Sequence, residues 1–344
     1  MKECKQNFWY DKRVLVTGAT GLVGSWLCKD LVDKGADVVA LVRDWDPKSE
    51  LVRSGTVNKM TVVSGSLEDI NVAERCINDY AVDTVIHLGA QAIVSVANRS
   101  PYSTFESNIR GTYCLLEACR KHPSLVKRVV VASSDKAYGD SESLPYTEDM
   151  PPRGKHPYDV SKSCADLITQ SYYHSYDTPV VVARCGNIFG GADLNWSRII
   201  PHTIKSLYHN ESPLIRSNGQ FIRDYVFIDD AVDAYLTMAQ NLDNPEVRGE
   251  AFNFGPQKPL TVLDIVNSLR LLMNKEEIVP VILNEAKNEI KAQYLCSAKA
   301  KRLLSWEPKH SLEDGLQKTV EWYLEYFKTL ENSPSTSQVS LALR

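Results

Sequence analysis

Val14-Leu-Val-Thr-Gly18-Ala-Thr-Gly21-Leu-Val-Gly24 is the stretch that decides how this chain folds. A β-branched apolar run stops at Gly18, glycines recur at every third position, and a helical pattern takes over from residue 22. Glycines at a strand-to-helix turn let backbone N–H groups approach a pyrophosphate, and the helix N-terminus favours its negative charge. The spacing is G-x-x-G-x-x-G rather than the more common G-x-G-x-x-G, and alone it fits a tight turn equally well. Its place after the first strand of a βαβ unit favours the dinucleotide-binding reading.

Outward from this turn, short apolar runs alternate with helical spacing. Strands are expected at 13–17, 37–42, 60–63, 84–88, 128–132 and 180–183, and helices at 22–34, 72–79, 104–121 and 158–176. That alternation implies an α/β fold, a doubly wound parallel sheet with helices on both faces. Near-continuous valine runs suit strands buried on both sides. Beyond about residue 186 turn residues become denser and the elements shorter; 229–240 and 262–273 read as helices, and Phe252-Asn-Phe-Gly255 as a short strand and turn. The expected organisation is a nucleotide-binding domain over 1–186, a smaller, partly interleaved substrate domain over 187–330, and a disordered Ser/Pro/Thr-rich tail over 331–344.

The 344 residues are 43% hydrophobic and 24% charged with a net charge of -4, which is ordinary for a globular enzyme. No basic stripe points to nucleic acid or an anionic membrane surface, and no apolar run has the length of a membrane span. Eight cysteines without a C-x-x-C pair suggest buried thiols rather than disulfides or zinc, so no metal site is expected. The start, MKECKQNFWYDK, lacks the apolar core of a signal peptide, and a cytoplasmic location is expected.

Two further stretches carry chemistry. Val42-Arg43-Asp44 ends the second strand, where a carboxylate reads the ribose 2′-hydroxyl of NAD and an arginine accommodates the NADP phosphate. Asp44 lies about 20 residues beyond Gly24 and favours NAD, while Arg43 leaves NADP open; a solvated surface pair is the plain alternative. The other stretch runs from Ser133-Ser134-Asp135-Lys136 to Tyr158-Asp-Val-Ser-Lys162. Tyr158 and Lys162, four apart, share one helix face, and the lysine charge there favours tyrosinate, bringing a phenol of pKa about 10 nearer to neutral pH. Ser134, Tyr158 and Lys162 together could move a proton on or off an alcohol. Asp135 and Lys136 add a second acid and amine, or else form a salt-bridged pair at a loop start.

Taken with His87-Leu-Gly-Ala-Gln91, Asn108-Ile-Arg-Gly-Thr112, Arg184-x-x-Asn187 and Arg223-Asp224-Tyr-x-x-x-x-Asp229, these motifs resemble the extended short-chain dehydrogenase/reductase family over about residues 10 to 325. Within it, nucleotide-sugar 4-epimerases and 4,6-dehydratases share the tyrosine and lysine and differ beside the serine. Asp135-Lys136 is similar to the 4,6-dehydratases acting on CDP-glucose, as are Phe8-Trp9, Gly186-Asn-Ile-Phe-Gly-Gly191 and Arg198-Ile-Ile-Pro201. The resemblance implies a Rossmann-type fold, a homodimer, and deoxysugar biosynthesis, including that of lipopolysaccharide O-antigen. It also implies C4 oxidation by NAD, loss of water across C5 and C6, and hydride return to C6.

In that reading Tyr158 is the base at the 4-hydroxyl, Ser134 holds that hydroxyl, Lys162 binds the nicotinamide ribose, Lys136 removes the C5 proton, and Asp135 protonates the departing 6-hydroxyl. Cofactor contacts are expected from Gly18, Thr20, Gly21, Leu22, Val23, Gly24, Arg43, Asp44, Ser66, Leu67, Leu88, Ala90, Asn108 and Ser133, besides Tyr158 and Lys162. Ser66 stands where many relatives carry an aspartate near the adenine. Substrate contacts are expected from Gln91, Asn187, Arg198 and Arg223, with Arg223-Asp224 as an internal ion pair the alternative. A 4-epimerase, a GDP- or UDP-sugar 4,6-dehydratase and a non-catalytic cofactor-binding protein are the rival functions.

Overall fold

The computed structural model describes residues 7–286 and 289–332. Seven strands form its central sheet: β1 (Arg13–Thr17), β2 (Asp37–Val42), β3 (Thr61–Ser64), β4 (Thr84–His87), β5 (Arg128–Ala132), β6 (Val180–Cys185) and β7 (Ala251–Phe254). Their order is β7-β6-β5-β4-β1-β2-β3, with every neighbouring pair parallel. Alternate side chains of β1 enter opposite layers: Val14 and Val16 join a core with Leu27, Leu31 and Phe252, while Leu15 joins Ile77, Leu115 and Val129. Because both faces are covered, β4 and β6 are buried along their whole length. Strand order reverses between β1 and β4, so a crevice opens there at the carboxyl ends of the strands.

Four helices position the site: α1 (Leu22–Asp33), α2 (Ile70–Asp79), α3 (Gly111–Lys121) and α4 (Pro157–Tyr176). Proline at the first position of α4 suits its missing N–H and fixed φ. The single helix expected over 104–121 is instead Pro101–Phe105, a π-helical turn at Glu106–Arg110, and α3. That turn lets Asn108 accept from the Gln91 N–H at 2.6 Å and donate to Ser161 of α4 at 2.9 Å, bonds that outweigh regular helix geometry there.

The C-terminal half is interleaved with the first. The short strand expected at 252–255 is β7, an edge of the central sheet. Between and after, three small pairs form: Asn187–Phe189 with Tyr225–Phe227, Ile222–Arg223 with Leu260–Thr261, and Leu214–Ile215 with Val281–Ile282. A helix over Leu312–Glu331, capped by Ser311, buries Leu316, Val320, Tyr323 and Phe327 against the first core layer. Its last turn occupies the start of the expected tail, whose residues 333–344 lie outside the described ones. Among the described residues seven cysteines are free, five of them buried. Among the described residues no helix is long and apolar enough to cross a membrane.

Candidate active site

One cleft of about 1320 Å³ lies along the carboxyl edge of the sheet, walled by β-strand ends on one side and by the C-terminal half on the other. A pocket for one small ligand occupies roughly 300–1,000 Å³, so this cleft has room for a dinucleotide and a second molecule beside it.

The glycine-rich turn forms one end of the cleft. Gly18 has φ +72, and a Cβ there would come within 2.8 Å of the Gly89 nitrogen. A Cβ on Gly24 would overlap the Gly18 carbonyl oxygen, which is why α1 can pack so close to the strand end. Gly21 is the N-cap of α1, which has no side-chain cap and no acid in its first turn. The first N–H groups of the helix are therefore open to an anion. Thr20, Leu22, Val23, Leu67, Leu88 and Ala90 line the same end, with Arg43 and Asp44 at the rim. Arg43 Nε donates to Asp44 at 2.7 Å, and both side chains are more than half exposed. This surround fits a dinucleotide: an uncapped helix end for the pyrophosphate, and a carboxylate at the end of β2 for the ribose.

The titratable groups meet where β5 ends. Ser133 and Ser134 follow Ala132, and a 3-10 turn over Asp135–Tyr138 puts Asp135 under the cleft floor. Tyr158 and Lys162 arrive from the first two turns of α4. Burial pushes the Tyr158 phenol up to about 12, outweighing the lowering by its hydrogen bond with Ser134. This corrects the expectation of a phenol brought down by Lys162. Here Lys162 Nζ donates to the Ala132 carbonyl at 2.7 Å, and burial disfavours its charge, lowering its pKa to about 8. Burial raises the Asp135 carboxyl despite the opposing pull of Lys136, Ser134 and Arg223. Asp135 Oδ1 accepts from Ser134 at 3.0 Å, whereas Oδ2 and the Ser133 hydroxyl are buried without partners among the described residues. Orphaned polar atoms at a cleft floor are available to a ligand. Beneath them His87 is kept neutral by burial, between Thr17 at 2.7 Å and Thr112 at 3.0 Å.

A buried clamp fixes this floor. Arg184 of β6 makes two bonds to Asp166 of α4, at 2.7 and 2.9 Å, and a third to the Tyr138 hydroxyl at 2.8 Å. Tyr138 in turn donates to Asn253 of β7 at 2.7 Å. Bidentate geometry and full satisfaction make such a pair rigid.

On the opposite wall Asn187, Arg198 and Arg223, the residues expected to meet the substrate, line the cleft. Arg198 Nη1 donates to Asp193 at 3.0 Å. Arg223 does not pair with Asp224; it donates to Glu289 at 2.8 Å and to the carbonyls of Ile222, Ile290 and Lys291. Its guanidinium is thus engaged by its own chain. Three expected contacts are not on the cleft wall. Gln91 folds its amide oxygen onto the Ile93 N–H at 3.0 Å, Asn108 is spent on Gln91 and Ser161, and Ser66 hydrogen-bonds Glu68. Gln91 and Ser66 are captured by groups two residues along the chain, whereas Asn108 is held by Gln91 and by Ser161 of α4.

Sequence reasoning passed over Gln293, whose side chain accepts from Lys136 Nζ at 3.0 Å across 157 positions. Glu289, Ile290, His202 and Arg216 also line the cleft. Glu289, Ile290 and Arg216 stand in segments without periodicity or motif, whereas His202 directly follows the Arg198–Pro201 motif within the helix Ile199–Tyr208.

Residues 14–255 match the model of the NAD dependent epimerase/dehydratase family. CDP-glucose 4,6-dehydratase of Salmonella typhimurium is 31% identical over 340 residues, covering 94% of this chain and 93% of that protein. Human dTDP-D-glucose 4,6-dehydratase is 28% identical, covering 94% and 93%. Among solved structures, UDP-glucose 4-epimerase of Thermotoga maritima with UDP-glucose superposes with a TM-score of 0.83 at 27% identity, covering 92% of this chain and 99% of that one. The dTDP-glucose 4,6-dehydratase of Streptomyces venezuelae with NAD bound gives 0.83 at 25%, covering 92% and 98%. With the glycine turn, the serine at the end of β5 and the Tyr158–Lys162 pair gathered at one cleft, the chain belongs to the NAD dependent epimerase/dehydratase family.

Proposed function

We propose that this protein is an NAD-dependent nucleotide-sugar 4,6-dehydratase, a hydro-lyase, with CDP-glucose as its favoured substrate. The observation that carries the reading is the Asp135–Lys136 pair, set at the end of β5 beside Tyr158. When bound, NAD would supply the hydride acceptor for C4 and the hydride source for C6. Gly18, Gly21, Gly24 and the first turn of α1 would hold its pyrophosphate, Asp44 its adenosine ribose, and Lys162 the nicotinamide ribose. Tyr158 acts in its ionised form, which its hydrogen bond with Ser134 favours against burial, and takes the 4-hydroxyl proton, with Ser134 holding the oxygen. Lys136 removes the C5 proton, and Asp135, whose carboxyl burial raises, gives a proton to the 6-hydroxyl so that water leaves. Asn187 and Arg198 serve the diphosphate of the sugar nucleotide. The relatives that are 4,6-dehydratases support the reaction type, and the CDP-glucose enzyme supports the base.

Residues 187–330, apart from β7, form the sugar-nucleotide side. Tyr102, Tyr113, Leu167 and Tyr176, exposed on the helices at 101–121 and 157–176, suit a homodimer contact, which sedimentation would report. Mass spectrometry of products from CDP-, dTDP-, UDP- and GDP-glucose tests the function. A 4-keto-6-deoxy sugar is expected from the CDP sugar, whereas a C4 epimer would replace this reading with a 4-epimerase. Asp135→Asn and Lys136→Ala should leave bound reduced cofactor detectable and abolish the keto-deoxy product. Unchanged product in both variants would remove these roles.

A further inference from the structure

Lys136 is held from far away in the chain. Gln293, fully buried, accepts from its Nζ at 3.0 Å. Gln293 belongs to a strap over 289–297 that is tied down along its length. Ile222 N–H donates to Lys291 at 2.9 Å, Gln293 N–H to Ile222 at 3.0 Å, and Leu295 N–H to the Asp224 carboxylate at 3.2 Å. Tyr146 N–H donates to Tyr294 and Cys296 N–H to Tyr146, both at 2.9 Å. Arg223 adds its bonds to Glu289, Ile290 and Lys291. Gln293, Leu295 and Ser297 are buried while Tyr294 and Cys296 are half-buried, the alternation of an extended segment with one face inward.

A buried glutamine so anchored has little rotamer freedom left, and its partner inherits that order. The acceptor is also uncharged. An amide oxygen orients an amine without supplying a negative charge that would favour the ammonium form. Lys136 acts electrostatically on Asp135 in its own turn and on Asp159 of α4; from the strap its amine meets the uncharged amide of Gln293, while the strap carboxylate Glu289 is paired with Arg223.

We infer that Gln293 is the positioning residue of Lys136, aiming its amine at the elimination step while the C4 redox step proceeds without it. The inference rests on the dehydratase reading. It is tested on the NAD-loaded enzyme with CDP-glucose, or whichever sugar of the panel the wild type converts. Gln293→Leu should lower kcat for the keto-deoxy product about 100-fold with KM unchanged. Bound reduced cofactor should accumulate, and exchange of the C5 hydrogen with deuterated solvent should slow in parallel. Gln293→Glu keeps the shape and the acceptor but adds a charge, so the rising limb of its kcat–pH profile should move to higher pH. Wild-type kcat in the leucine variant, or loss of C4 oxidation together with elimination in both variants, would overturn it. If the leucine variant does not fold, an unshifted pH profile in the glutamate variant overturns it alone. Absence of keto-deoxy product from the wild type with every sugar would instead sink the dehydratase reading, before any variant is compared.

Discussion

The two walls of the cleft are built by different means. On the glycine-rich side, backbone does the shaping: Gly18 and Gly24 let strand end and helix start come together, and α1 presents bare N–H groups. On the strap side, side chains do it across long separations: Lys136 to Gln293, Arg223 to Glu289, Asp224 to Leu295. A backbone-built wall tolerates no added atom but needs no partner. A side-chain-built wall tolerates small changes but fails one bond at a time. The reacting groups sit between, on the strand and helix ends that both walls share.

The largest expected effect lies at that junction. Tyr158→Phe should cut turnover roughly a thousand-fold and prevent reduced cofactor from forming, because Tyr158 is the base assigned to the 4-hydroxyl proton. Rapid scanning of cofactor absorbance checks it; reduced cofactor at the wild-type rate would assign the base elsewhere.

Next comes the backbone wall. Gly24→Ala forces a methyl into the Gly18 carbonyl and should cost about 3 kcal/mol, read as a lowered urea midpoint, with NAD binding lost. Gly21→Ala, whose Cβ would meet only the Gly18 oxygen at 3.3 Å, should keep its stability and lose affinity for NAD. Equal stability losses in the two variants would erase the distinction between packing and ligand-facing glycines.

The strap side offers a pH signature. Burial raises the Asp224 carboxyl to about 6, above its unfolded value, so the folded state binds that proton more tightly. Its contribution is fully present below about pH 4 and is lost as pH rises through about 6. Relative to Asp224→Asn, the wild type should therefore lose up to roughly 3 kcal/mol of stability across that window. Denaturation of both proteins at a series of pH values would show it, and parallel curves would refute it. Smallest of all, Arg43→Ala should change stability by no more than about 0.5 kcal/mol, since an exposed pair is worth little, and calorimetry should still find NAD preferred over NADP.

Legibility followed the same divide. The first six strands and the helices at 22–34, 158–176 and 229–240 could be read from periodicity, because a sheet covered on both faces demands continuous apolar runs. The helix over Leu312–Glu331 carries a Ser311-x-x-Asp314 cap legible in the sequence, while its packing partners come from distant segments. The π-helical turn was not legible, since its cause is a bond from Asn108 to Ser161 on another helix. Likewise Gln91, Asn108 and Ser66 carry motif identities, but bonds within a turn for Gln91 and Ser66, and to Gln91 and Ser161 for Asn108, turn them from the cleft.

The sequence by itself determined the glycine turn, the serine, the Asp135–Lys136 pair and the Tyr158–Lys162 spacing, because each is set by contacts within a few residues of its own. Only the tertiary structure decided what surrounds them. Burial made the phenol a weaker acid than the lysine spacing implied, Arg223 went to the strap, and Gln293 came to Lys136. Desolvation and hydrogen bonds between distant segments belong to the assembled fold, and no local pattern encodes them.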